Sequence, residues 1–368
     1  MCLGTINTQG ENEMKKRSKL KVFFIILFAV LLVLTVGFYF LCAGIYTENF
    51  GPRFNSYEPL MLSTDDFEGL SRTKYEFPSD KGQMLTGYMY SAGEDQKGII
   101  VMAHGFGGGG HNSYMNVADY FARSGYYVFG YDVTGCDESE GDGVGGIPQG
   151  VIDLDRAITF VEESGNFPDL PICLFGHSWG GYCASSVLTF HPEVKAVVEC
   201  SGPFASYAMF ESGGKSQAGD FIYAMTPFVR LHEYINYGKY ASNTALDGFK
   251  ASSAAVMCVH SADDDVIGIE YGLDKYLESY QDDPRFTFIR FEDRGHNHVF
   301  DDTSYLNEFN SGFDEWLATL DYDYKTDTER FAKDKADYMH KNLDRYRYSH
   351  MLDEELFARF LEFYDKNI

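Results

Sequence analysis

Residues 171–181 read Pro171-Ile172-Cys173-Leu174-Phe175-Gly176-His177-Ser178-Trp179-Gly180-Gly181. The run 171–175 is short, apolar and opened by proline, which suits a strand. Gly176 to Gly180 then turns sharply, and helix-compatible residues follow. Small residues on both sides of Ser178 let the backbone fold tightly enough to expose its hydroxyl at the end of a strand. An ordinary strand-to-helix turn can carry the same five residues, so the meaning of the pattern depends on its surroundings.

Working outward, Ile99 to Ala103 is a continuous apolar run, as expected of a central parallel strand covered on both faces. Further strands are expected at 126–131, 194–200, 254–260 and 285–291, and an alternating pair at 72–90 around Ser79-Asp80-Lys81-Gly82. Helical patterns fall at 113–124 and 147–163, where Val151, Leu154, Ile158 and Val161 share one face. Strand and helix alternate throughout, so the expected fold class is α/β with a doubly wound, mostly parallel sheet. The stretch 203–250 breaks the rhythm and is expected to form a helical cap. Its aromatic and sulfur side chains (Phe204, Tyr207, Met209, Phe210, Phe221, Tyr223, Met225, Phe228) could line an acyl pocket or pack the cap's own core.

A serine hydroxyl is a weak nucleophile, and it needs a base, a carboxylate to orient that base, and donors for a developing oxyanion. Each has a candidate. His104-Gly105-Phe106-Gly107 directly follows the strand 99–103, so the backbone amides of Phe106 and Trp179 are expected to form the oxyanion hole. His104 itself is expected to be structural. Gly107 to Gly110 lacks the lysine of a phosphate loop and the spacing of a dinucleotide fingerprint. Three aspartates follow the strand 254–260, and Asp264 is the expected acid, with Asp263 and Asp265 in a solvated loop. Glu199 is the alternative acid. Past the last strand, Arg294-Gly295-His296-Asn297-His298 supplies the expected base, His296, with His298 as the alternative. The order nucleophile, acid, base is itself informative, because other triads run in other orders. No metal ligand set is recognised, since the aspartate run lacks the glycine turn and distal glutamate of a calcium loop and no CxxC pair is present.

The formal net charge is −25, with 30 basic against 55 acidic residues, which excludes nucleic acid as an expected partner. The basic residues Lys15, Lys16, Arg17, Lys19 and Lys21 cluster ahead of an uncharged apolar run, Val22 to Ile45. About 20 residues cross a bilayer core, so this run is expected to be a single-pass transmembrane signal anchor at the cell membrane. The flanking charge places the N-terminus in the cytoplasm and the catalytic body outside. The competing reading is a signal peptide that is cleaved to release a secreted protein, but the stretch before Gly44 is a poor cleavage site. Of seven cysteines, Cys2 and Cys42 lie in the N-terminal segment, while Cys173, Cys183, Cys200 and Cys258 sit in apolar surroundings.

Residues 72–318 resemble the α/β-hydrolase superfamily, in particular the group of monoacylglycerol lipases, lysophospholipases and serine aminopeptidase-like hydrolases. The resemblance rests on His104 to Gly107, on Tyr131-Asp132 with Gly135, Ser139 and Gly141, on the Gly176–Gly180 turn, on the Asp264 loop and on Gly295-His296. It implies hydrolysis of a small-molecule or lipid-like acyl substrate through an acyl-enzyme, without a cofactor. A carboxylic ester is the expected substrate, an amide or peptide the alternative, and a non-catalytic binding protein on the same fold a third reading. In that group the loop after Asp132 usually reads Gly-x-Gly-x-Ser-x-Gly, whereas Asp137 here stands in place of the second glycine, which leaves the local shape of the loop open. The expected layout is a basic N-terminus (1–21), the anchor (22–45), a linker (46–70), the hydrolase domain (71–320, with the cap at 203–250) and a C-terminal helical extension (321–368). In the extension, Leu352, Leu356, Phe360 and Phe363 recur at helical spacing, so a terminal helix is expected to pack onto the body.

Overall fold

In the computed structural model, the described residues are 8–93 and 96–368. Cys2 and the first seven residues of the 1–21 segment lie outside them.

The apolar runs become one eight-stranded sheet. In chain order the elements are α1 (Thr8–Phe50), β1 (Ser71–Pro78), β2 (Met84–Ser91), β3 (Gly98–Ala103), α2 (Met115–Arg123), β4 (Tyr126–Tyr131), α3 (Gln149–Glu163), β5 (Ile172–His177) and α4 (Trp179–Ser186). They continue with β6 (Ala196–Cys200), α5 (Ser206–Ala218), α6 (Ile222–Tyr237), α7 (Lys239–Ser242), α8 (Ala245–Ala251), β7 (Ala255–Ser261), α9 (Leu273–Tyr280) and β8 (Phe286–Phe291). Four helices close the chain: α10 (Ser304–Leu317), α11 (Thr328–Asn342), α12 (Arg345–Ser349) and α13 (Glu354–Asn367). The strand order is β1-β2-β4-β3-β5-β6-β7-β8. Only the pairings of β2 with β1 and β4 are antiparallel.

Side chains alternate across the sheet, as the pleat requires. Val101, Leu174, Val197 and Val256 stand abreast on one face. Met102, Phe175, Val198 and Met257 stand abreast on the other. Every residue of β3, β5 and β6 is buried because helices cover both faces. The first face lies under α3, α4 and α8, and the second under α2 and α13.

One segment departs from the expected layout, and another, the C-terminal extension, packs a terminal helix onto the body as its helical spacing implied. The insertion after β6 divides: α5 to α7 form the cap, whereas α8 packs on α4 as part of the body. Contact there is so close that a Cβ on Gly248 would collide with the Ser185 carbonyl. The C-terminal extension is integral to the core. Leu356, Phe357, Phe360, Phe363 and Tyr364 of α13 are buried, and Tyr364 Oη donates to the Leu174 carbonyl at 2.7 Å. By contrast α10, which directly follows the last strand and the base loop, buries only Tyr305. It packs instead on α11, through Phe313 and Trp316 against Tyr338.

Helix α1 has 43 residues and carries an 18-residue window of mean hydropathy 2.9, long and apolar enough to cross a membrane. Its large apolar side chains from Val22 to Val36 are exposed. The helix does not stop at Ile45. It runs through Phe50, taking up the first residues of the expected linker, because this end is covered: Phe38 packs on Phe221 and Phe228, and Cys42 and Tyr46 are fully buried. The six described cysteines are free and buried.

Candidate active site

The turn at Ser178 shows why its flanking residues are small. Ser178 adopts φ 56°, ψ −120°, a conformation costly for a residue with a Cβ. The cost is carried by its surroundings: the Ser178 N–H donates to the Cys200 carbonyl at 2.7 Å, and α4 packs directly on β3. A Cβ on Gly180 would collide with the Ala103 carbonyl, so no larger residue fits. The result lifts the hydroxyl at the C-terminal edge of the sheet, where ligands bind in open α/β sheets.

The loops after β7 and β8 bring two side chains to this hydroxyl. His296 Nε2 lies 2.7 Å from Ser178 Oγ, and His296 Nδ1 lies 2.7 Å from Asp264 Oδ2. All three residues are buried. Asp264 Oδ1 accepts from the Val266 and Ile267 N–H groups at 3.0 and 2.8 Å. Burial opposes the charge on Asp264. Hydrogen bonds from His260 and His296, and the charges of both, nevertheless hold the carboxyl well below the usual carboxylate range. His260, which no motif singled out, places Nε2 3.2 Å from Asp264 Oδ2, the oxygen that faces His296, and donates to the Ile267 carbonyl, bracing the acid loop.

The structure also separates the alternatives. Glu199 bonds the Gly202 N–H and does not reach His296. His298 donates through Nδ1 to Asp301 Oδ2 at 3.0 Å and makes no contact with Ser178. Asp265 is exposed, but Asp263 ties the acid loop to the base loop, its Oδ1 accepting from Ser261 Oγ and from the Gly295 N–H.

His104 is structural. Its Nε2 accepts from the Val133 N–H at 3.1 Å, so its Nδ1 is the protonated nitrogen and faces the Gly105 carbonyl at 2.7 Å. Phe106 follows in the loop above the turn, its ring 5.3 Å from the Trp179 ring. Trp179 opens α4, so its N–H has no acceptor within the helix. Sequence reasoning missed a relay below this loop. The Gly105 N–H donates to Tyr114 Oη, which donates to His177 Nδ1, and His177 Nε2 donates to the His296 carbonyl. Burial, reinforced by the charge of His296, pushes the His177 imidazole down to about 3, so it stays neutral.

This arrangement can be set beside known proteins. Residues 94–268 match the family described as serine aminopeptidase, S33. The Pyrococcus furiosus esterase Pf2001 superposes with a TM-score of 0.53 at 16% identity, covering 73% of this chain and 97% of that one. Another crystal form of that esterase gives 0.52 at 17% identity, covering 73% and 96%. No curated protein sequence matches. The chain has the α/β-hydrolase fold, and just under half of it resembles the serine aminopeptidase family.

Ser178 opens into a cavity of 330 Å³, at the small end for ligand sites. Phe106, Met209, Val266, Tyr348 and Met351 contribute walls. Of the cap residues expected at an acyl pocket, only Met209 lines it. Phe210 and Met225 pack the cap core, Phe228 meets Phe38, and Phe221 and Tyr223 are exposed. Tyr348 and Met351 come from the C-terminal extension, whose part in the site had no signal in the sequence. None of the cap carboxylates reaches the cavity. Glu211 accepts from Thr226 Oγ1, and Glu233 is buried between Tyr46 Oη at 2.6 Å and Ser206 Oγ at 2.7 Å. Among the described residues, Glu162, His191 and Glu193 form the one His and carboxylate group compact enough for a cation, and none of them lines the cavity.

Proposed function

We propose that the protein is a serine hydrolase that cleaves a carboxylic ester through an acyl-enzyme, and that Ser178, His296 and Asp264 are its catalytic residues. The observation that carries this reading is the continuous chain from Ser178 Oγ through both nitrogens of His296 to the Asp264 carboxylate, with both links at 2.7 Å.

His296 Nε2 takes the Ser178 proton as Oγ bonds to the substrate carbonyl carbon. The carbonyl oxygen becomes an oxyanion and is received by the Phe106 and Trp179 amides. Asp264 keeps the Nδ1 proton in place and stabilises the imidazolium. The carbon–oxygen bond to the leaving alcohol then breaks, and the alcohol leaves with the proton from Nε2. Water, deprotonated by His296, attacks the acyl-enzyme, releasing the acid and restoring Ser178. Each oxyanion donor is worth about 10²–10³ in rate.

An ester is favoured over an amino-terminal peptide because the cavity offers no carboxylate to a substrate ammonium. Of the two Asp301 oxygens at its wall, one is taken by His298 and the other is sealed from solvent. The small cavity favours a short acyl group. We further propose that α1 anchors the enzyme in a membrane with the body on the outer side, supported by the basic cluster ahead of its apolar run and the exposed apolar surface along it.

A fluorophosphonate probe tests the core of the proposal. Wild-type protein should be labelled and Ser178→Ala should not, and equal labelling of the two rejects it. Rates on p-nitrophenyl acetate and on an aminoacyl anilide then separate ester from amide preference.

A further inference from the structure

The segment that leaves α1 is laced to the site by contacts that neither the catalytic chain nor the cavity uses. Phe54 pairs with the loop after β4: its N–H donates to the Gly135 carbonyl at 3.0 Å and its carbonyl accepts from the Asp137 N–H at 3.1 Å. Arg53 donates to the Ser139 and Gly141 carbonyls at 3.1 and 2.8 Å, and also bonds the Asp137 carbonyl. The rings of Phe50 and Phe54 stand 5.5 and 4.7 Å from that of Phe106.

Asp137 is the knot of this lacing. Its Oδ1 accepts from the Ser56 N–H at 2.5 Å, and its Oδ2 accepts from Ser56 Oγ at 2.6 Å and from the Gly110 N–H at 2.8 Å. One carboxylate therefore joins the post-helix segment, the loop after β4 and the far end of the loop that carries Phe106. Hydrogen bonds to an ionised acceptor are short and strong. The approach is close enough to dictate sequence on the other side, since a Cβ on Gly110 would collide with Asp132 and press within 3.0 Å of Asp137 Oδ2. Asp137 also stands at φ 35°, in the region that favours glycine. A residue held in such a conformation where glycine would fit without strain points to a use for its side chain.

We propose that Asp137 is a positioning residue for the reaction: by tying Gly110 to Ser56 it fixes where the Phe106 N–H stands over Ser178. Asp137 touches neither substrate nor reacting atoms and acts through the 104–110 loop. The proposal rests on Phe106 serving as an oxyanion donor. A displacement of about 1 Å at such a donor costs on the order of 100-fold in rate.

The test uses the full chain in detergent, with active sites counted by exhaustive fluorophosphonate labelling. Asp137→Gly, which also removes the backbone strain, should lower kcat per labelled site on p-nitrophenyl acetate about 10- to 100-fold with KM within threefold of wild type. Asp137→Asn keeps one good acceptor oxygen and should fall between the two. The inhibition constant of a trifluoromethyl ketone, whose hemiketal oxyanion occupies the hole, should rise by the same factor as kcat falls. If kcat per labelled site stays within twofold of wild type, Asp137 only supports the fold and the proposal is overturned, whether or not Tm drops. A kcat loss with an unchanged ketone constant overturns it too, because the damage then lies outside the oxyanion hole. Failure of the serine hydrolase reading would show separately, as wild-type protein that does not label.

Discussion

Replacing Asp264 by asparagine removes one charge and little volume, yet the surroundings dictate a large effect. Oδ1 receives two backbone donors, from Val266 and Ile267, so the oxygen of the new side-chain amide must occupy that position. Its NH2 group then faces His296 Nδ1, where Oδ2 now stands at 2.7 Å. Two donors cannot share a hydrogen bond, so the imidazole proton moves to Nε2 and points at Ser178 Oγ, and the base is lost. Flipping the amide would restore the base but leave two buried N–H groups without acceptors, at about 1–3 kcal/mol each. That sum of about 2–6 kcal/mol corresponds to a productive fraction of about 10⁻² to 10⁻⁴. Asp264→Asn should therefore lower kcat on p-nitrophenyl acetate at pH 7 by about 10²–10⁴, the upper value matching the same change in a trypsin-type triad. Circular dichroism should be unchanged. A folded variant within tenfold of wild type would refute the argument that Asp264 fixes the tautomer.

Other outcomes follow from the buried groups. Burial pushes Glu233 up to about 7 although Tyr46 and Ser206 donate to it. Its folded-state value thus lies above its unfolded one, so the folded state holds the extra proton and stability declines as pH rises from about 4.5 through 7. Glu233→Gln should flatten the fall in stability between pH 5 and 8, by up to about 3 kcal/mol at the alkaline end, read from the pH dependence of chemical denaturation; an unchanged slope would show that Glu233 does not titrate there. Tyr46→Phe removes the donor to Glu233 and the acceptor at 2.8 Å for the Ile147 N–H. It should cost about 1–3 kcal/mol, read as a Tm lower by a few degrees, and no shift would mean the network is dispensable. Phe357→Ala opens a hole among Tyr120, Phe121 and Phe300. Chemical denaturation should show a loss of about 3–5 kcal/mol, and a loss under 1 would contradict the placement of α13 in the core.

The parts of the molecule that were legible in sequence share a property: their signal is local. The unbroken apolar runs of β3 and β5 announce strands buried on both faces, and the small residues around Ser178 announce a turn that only they can make. His296 and Asp264 were reached by combining such local signals with chain order. The helical spacing of Leu356, Phe360 and Phe363 announced a buried helix, but nothing in it says that α13, and not α10, covers the sheet. Cap aromatics have the same appearance whether they line a cavity or fill a core, and here packing took most of them. Tyr348 and Met351 reach the cavity, and His260 reaches Asp264, through contacts with no characteristic spacing. Asp137 was visible only as a departure from a familiar loop, because the strain it bears is offset by Ser56 and Gly110, which lie 81 and 27 positions away.

Helix α1 enters the body without a break, its last turns wedged between α6 and the loop bearing Phe106. Proteins tethered by a flexible linker can pivot, so that their active sites sweep a hemisphere. Here α1 runs unbroken from residue 22 to residue 50, so a membrane holding residues 22–36, as proposed, would also set the height and heading of the cavity mouth, to within the bending of a single rod.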